Sequence, residues 1–242
     1  RFADGPRGTF TADTLRGLVR PDDQHFAVSR LVSLENTHNR GRGRVWPLEQ
    51  LHAVVGTAHQ LGLRAHVDGA RLWNASVASG HSVREILGDA DSVSVCFSKG
   101  LGAPVGSAFA SDAATVKRAR RFRKMFGGAM RQAGVLAAAA LHALDHHIDR
   151  LADDHANARL LAERLAEIPG VTSPPDQVET NLVYFDLSEA LGPAQAVCDA
   201  LAAEGVLVLA EGPRTIRAVT NLDVSRKDID RAAATIAGLL GR

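Results

Sequence analysis

The segment Ser92-Val93-Ser94-Val95-Cys96-Phe97-Ser98-Lys99-Gly100-Leu101-Gly102-Ala103-Pro104-Val105-Gly106-Ser107 changes character half-way along. Its first half alternates small polar and apolar residues, the pattern of a strand buried in an α/β sheet. Its second half sets glycines at 100, 102 and 106 and a proline at 104 behind Lys99. A lysine at such a strand exit is expected to leave solvent on a rigid element and to face a loop of unusual backbone shape. Burial lowers the pKa of lysine from about 10.4, which favours the nucleophilic amine that forms Schiff bases. The alternative is a lysine that caps the strand and snorkels to water, because glycine-rich strand exits are common.

Leu63-Arg64-Ala65-His66-Val67-Asp68-Gly69-Ala70-Arg71-Leu72 is a second short apolar strand ending in a charged turn. Between it and Lys99 there is room for a helix joining neighbouring parallel strands. An aspartate and a lysine at the C-terminal ends of adjacent strands form the arrangement that pyridoxal phosphate requires. The lysine holds the aldehyde, and the aspartate keeps the pyridine nitrogen protonated so that the ring accepts electrons. Taken alone, Asp68 also reads as an ordinary Asp-Gly turn-former.

Composition narrows the class. The 242 residues are 45% hydrophobic and 23% charged, ordinary for a globular chain able to bury a real core. Lys+Arg 28 against Asp+Glu 27 leaves a net charge of +1, so no global field points to nucleic acid or an anionic membrane. The basic run Lys117–Lys124 reads as a solvated helix face. Two cysteines, Cys96 and Cys198, make no disulfide framework, and the simplest expectation is a reducing, cytoplasmic compartment. No signal peptide or membrane span is expected.

Outward from the Lys99 strand, the periodicity predicts a helix over 11–19 capped by Thr11, a strand over 30–34, and a helix of about 15 residues opened by Pro47. One helix is expected around 83–87, a return strand over 105–110 and a basic helix over 112–125. A long helical segment with bends then runs from 131 to 168 and stops at Pro169-Gly170. The remainder predicts a strand over 181–187, a helix over 193–204, strands over 206–209 and 215–220, and a helix over 225–240. The expected organisation is the C-terminal part of a large α/β domain over 1–145, a connecting helix over 146–168 and a small α+β domain over 169–242.

Several segments together resemble one family. They are Leu34-Glu35-Asn36-Thr37-His38-Asn39, His66 through Ala75, the Lys99 stretch, Arg123-Lys124-Met125 with Met130-Arg131-Gln132-Ala133-Gly134, and Arg217-Ala218-Val219-Thr220-Asn221. In this order they resemble the threonine aldolases among the fold type I pyridoxal-phosphate enzymes. The resemblance implies an aminotransferase-like α/β large domain lacking an N-terminal segment that carries the phosphate loop and a ring-stacking histidine. It implies an internal aldimine on Lys99, Asp68 on the ring nitrogen, and cleavage of threonine or allo-threonine to glycine and acetaldehyde.

Arg71 and Arg217 are then candidates to clamp the substrate carboxylate, which a guanidinium meets bidentately; alone, Arg217 reads as a surface cation. His38 is a candidate acid–base residue for the β-hydroxyl, or else a loop histidine bonded to backbone. Ser98 and Lys124 are candidates for the cofactor phosphate, and no metal spacing is convincing. Arg42 stands where the family usually shows a second glycine after Gly41, which predicts a changed loop near His38. The resemblance also implies a homo-oligomer, a dimer or tetramer with sites at the dimer interface. Alternatives are a related β-eliminating lyase, or a catalytically incomplete unit that serves structure and dimerisation.

Overall fold

A computed structural model describes residues 1–241, which divide into two compact units. The first comprises residues 1–41 and 45–148, and the second 42–44 and, of the described residues, 149–241.

In the first unit, α1 (Ala12–Leu18) starts at Thr11, whose hydroxyl accepts the Thr14 N–H. Next come β1 (Leu31–Glu35), α2 (Leu48–Gln60), β2 (Arg64–Gly69), α3 (Leu72–Ser79), α4 (Val83–Leu87), β3 (Ser92–Cys96), β4 (Ser107–Ser111), α5 (Ala113–Met125) and α6 (Gly134–His146). The sheet order is β1-β2-β3-β4; the first three strands are parallel and β4 returns antiparallel. Register aligns Leu34, Val67 and Val93 on one face. All three are buried, in one core with Leu51, Val54, Val55 and Ala58 of α2. Burying each of the larger side chains contributes about 1.5–3 kcal/mol. The opposite face carries Ser33, His66 and Ser92 in one row and Glu35, Asp68 and Ser94 in the next. Strand alternation alone thus separates an apolar core face from a polar one.

Where one helix is expected between β2 and β3 there are two. Gly80 ends α3 in the left-handed region at φ 73°, and Ser82 with Glu85 caps α4 reciprocally. The long helical segment with bends expected over 131–168 is two helices. The first ends at His146, with His147 as its C-cap, and the next starts at Leu151. No glycine or proline marks that break in the sequence.

In the second unit, α7 (Leu151–Ala166), β5 (Val171–Thr172), β6 (Leu182–Leu187), α8 (Ala194–Ala203), β7 (Leu209–Ala210), β8 (Thr215–Val219) and α9 (Arg226–Leu240) follow in order. The sheet is antiparallel in the order β5-β6-β8-β7. Phe185 and Ile216 are fully buried in a core shared with Leu165, Leu201 and Ile236. The strand expected over 206–209 shrinks to Leu209–Ala210. Gly205 turns the chain at φ 77°, and Val206 is drawn back onto α8 by its N–H bond to Leu201 O (2.9 Å). Arg42 adopts φ 64°, the region that favours glycine, so this departure from glycine retains a glycine-like backbone. Its guanidinium pairs with Asp186 and lies 5.8 Å from the Tyr184 ring. Among the described residues no helix is long and apolar enough to cross a membrane.

Candidate active site

The C-terminal ends of β1, β2 and β3 lie side by side, because the three strands are parallel neighbours. Each brings candidate side chains to that edge: Glu35 and then His38 from β1, Asp68 and Arg71 from β2, Ser98 and Lys99 from β3. In open α/β sheets this edge is where ligands bind.

Asp68 is half-buried, and its Oδ1 accepts the Ala70 N–H at 3.1 Å. Two residues earlier on the same face, His66 lies within 2.9 Å of the Ser92 hydroxyl through Nδ1 and stacks on Phe109. Burial holds His66 below the ordinary imidazole value, outweighing the opposing pull of Asp68. Arg71 caps the start of α3 and is half-buried.

Lys99 sits in the turn after β3. Gly102 N–H bonds back to Lys99 O at 2.9 Å, and Gly102 takes φ 71°, which a side chain would resist. The side chain of Lys99 is exposed, as is Ser98. The expected withdrawal of this lysine from solvent is therefore corrected. The rigid strand ends at Cys96, three residues before Lys99. Cys96 is likewise only half-buried.

His38 occupies a seat made by two glycines. A Cβ on Gly8 would lie 2.2 Å from His38 Nδ1, and one on Gly41 would lie 3.0 Å from it and 1.9 Å from Arg7 O. The Gly41 N–H donates to Nδ1 at 2.8 Å. A backbone N–H only donates, so Nδ1 is the acceptor and neutral His38 carries its proton on Nε2. That Nε2 lies 3.8 Å from Glu35 Oε2, while Glu35 Oε1 accepts the Asn39 N–H. Glu35, His38 and Asp68 line one open cleft of about 740 Å³, together with Ser33 and Trp46. Lys99, Ser98 and Arg71 are not among its walls. Sequence reading did not single out Glu35 and His66; counting back by two from Asp68 along β2 reaches His66, whereas Glu35 comes beside Asp68 only through the β1–β2 register.

Lys124, in the last turn of α5, and Arg131 are exposed. Arg217 belongs to β8 of the second unit, where its guanidinium pairs with Glu211 at 2.8 Å.

The residues present fit pyridoxal phosphate at its ring and aldehyde ends. A carboxylate lies on β2, a primary amine lies in the turn three residues after the adjacent β3, and Asn36 Nδ2 and Thr37 Oγ1, buried just after β1, have no hydrogen-bond partner within the described residues. The family profile described as beta-eliminating lyase matches residues 1–188. A low specificity L-threonine aldolase of Escherichia coli K12 is 42% identical over 235 residues, covering 97% of this chain and 68% of that protein. The chain belongs to the threonine aldolase family. A second relative, named as a probable low-specificity L-threonine aldolase of Arabidopsis thaliana, is 43% identical over 92% of this chain, which spans 64% of it. The solved Leishmania major threonine aldolase superposes with a TM-score of 0.76 at 19% identity, covering 98% of this chain and 69% of that one. That likeness establishes the shared fold. Family and fold are those of pyridoxal-phosphate-dependent enzymes, as the lysine and aspartate pattern predicts.

Proposed function

We propose that this threonine aldolase relative binds pyridoxal phosphate and cleaves the Cα–Cβ bond of L-threonine and L-allo-threonine, releasing glycine and acetaldehyde. The observation that carries the reading is the placement of Asp68 on β2 and of Lys99 in the turn after its parallel neighbour β3, in a chain 42% identical to a curated aldolase across 97% of its length.

When bound, the cofactor supplies the sink for the electron pair left by the broken bond. Lys99 Nζ would hold the cofactor at its aldehyde end, and Asp68, its carboxylate oriented by the Ala70 N–H, would hold the ring nitrogen in its protonated form. Arg71 would hold the substrate carboxylate with its planar fork, the role that the resemblance also gives to Arg217, and Ser98 and Lys124 would hold the phosphate. His38 serves the β-hydroxyl through Nε2–H, the atom left available by the Gly41 bond, and the Glu35 carboxylate beside it is the acceptor for the hydroxyl proton. Residues 1–145 form the cofactor-binding part, 146–168 the connection and 169–242 the smaller domain. The working form is a cytoplasmic homodimer or homotetramer whose sites lie at the dimer interface.

Borohydride reduction of the chain incubated with pyridoxal phosphate should tag Lys99, and L-threonine should yield acetaldehyde and glycine. Lys99→Ala should lose both signals. A tag on another lysine sinks the assignment. The family description favours one further reading, β-elimination on another amino acid, which would release ammonia and a keto acid instead.

A further inference from the structure

His147 Nδ1 lies 2.7 Å from Leu101 O, across 46 residues of chain. A carbonyl oxygen only accepts, so Nδ1 carries the hydrogen, in the neutral ring and in the imidazolium alike. Leu101 is two residues past Lys99 and only 2% exposed. The other bonds of this turn are its own: Gly102 N–H to Lys99 O, Ala103 N–H to Phe97 O and Phe97 N–H to Gly106 O, each 2.9 Å. These close the turn on itself between the paired strands β3 and β4. His147 adds a tie from outside the hairpin, to the C-terminal end of α6, which no glycine or proline marks. The ring is steadied on its other side by His142, edge-on at 5.3 Å.

We propose that His147 is a positioning residue for Lys99. Its Nδ1–H holds the turn by the Leu101 carbonyl, so the exposed amine projects from a fixed backbone. The inference rests on Lys99 being the cofactor-linking amine, whereas the tether itself does not.

Two substitutions separate tethering from space-filling. His147→Asn places an amide N–H close to where Nδ1–H sits, while His147→Phe keeps the ring and removes the donor. In the full chain without cofactor, amide exchange at Gly102 and Ala103 should speed up about tenfold in His147→Phe and stay within about twofold of wild type in His147→Asn. Capture of pyridoxal phosphate at Lys99, read by borohydride reduction and peptide mapping, should slow in parallel and be rescued by asparagine. If the phenyl ring prevents folding, His147→Ala takes its place. Unchanged exchange in His147→Phe, or an asparagine variant as fast as the phenylalanine one, overturns the proposal. If exchange follows the expected pattern but no variant is tagged at Lys99, the tether stands and the role of Lys99 falls.

Discussion

Gly8→Ala tests the seat of His38. Two costs are expected. The first is backbone: Gly8 sits at φ 80°, where a Cβ costs about 1–2 kcal/mol. The second is the ring: the new Cβ would stand 2.2–2.5 Å from three imidazole atoms of His38, so the ring must leave. Its departure removes the acceptor of the Gly41 N–H, and a buried donor left unmet costs about 1–3 kcal/mol. Gly62→Ala is the control, because Gly62 has φ 72° with nothing within 4 Å of the added carbon. Urea denaturation should therefore show Gly8→Ala less stable than Gly62→Ala by about 1–3 kcal/mol, which isolates the ring term. Imidazole nitrogen shifts in wild type should report a proton on Nε2 of neutral His38, and Gly8→Ala should abolish that preference. Equal destabilisation of the two variants, or an unaltered tautomer in Gly8→Ala, would refute the seat.

Two further outcomes concern the second unit. Burial pushes His155 down to about 4 from the ordinary 6.5, so the unfolded chain binds a proton there that the folded chain refuses. Stability should be full above about pH 6.5 and decline towards pH 4, by about 3 kcal/mol at the foot, and the pH dependence should flatten in His155→Leu; a slope unaffected by that change refutes it. Arg150 donates to both oxygens of Asp154, which is fully buried and whose carboxyl is raised by that burial. Arg150→Leu should cost about 3–5 kcal/mol at neutral pH. The loss should shrink in acid as Asp154 takes up a proton, and denaturation midpoints at two pH values check it.

Residues near one another in the chain determined much of this protein on their own. Alternation from Ser92 to Cys96 set a strand, Gly100 and Gly102 set the turn behind it, and the like pattern before Asp68 set its neighbour, because strand period and turn chemistry act over a few residues. The family motifs rest on the same short stretches, which is why the family was legible before any coordinates. Contacts between distant residues were not. The tautomer of His38 depends on Gly8 and Gly41 folding against its ring. The grip of His147 on Leu101 joins residues 46 apart, at a helix end that no local residue marks. Even the exposure of Lys99 was decided by its place in the turn, three residues beyond the strand. Local propensity chooses the elements; which side chains then meet is chosen by packing, and the polar edge of the sheet was assembled there.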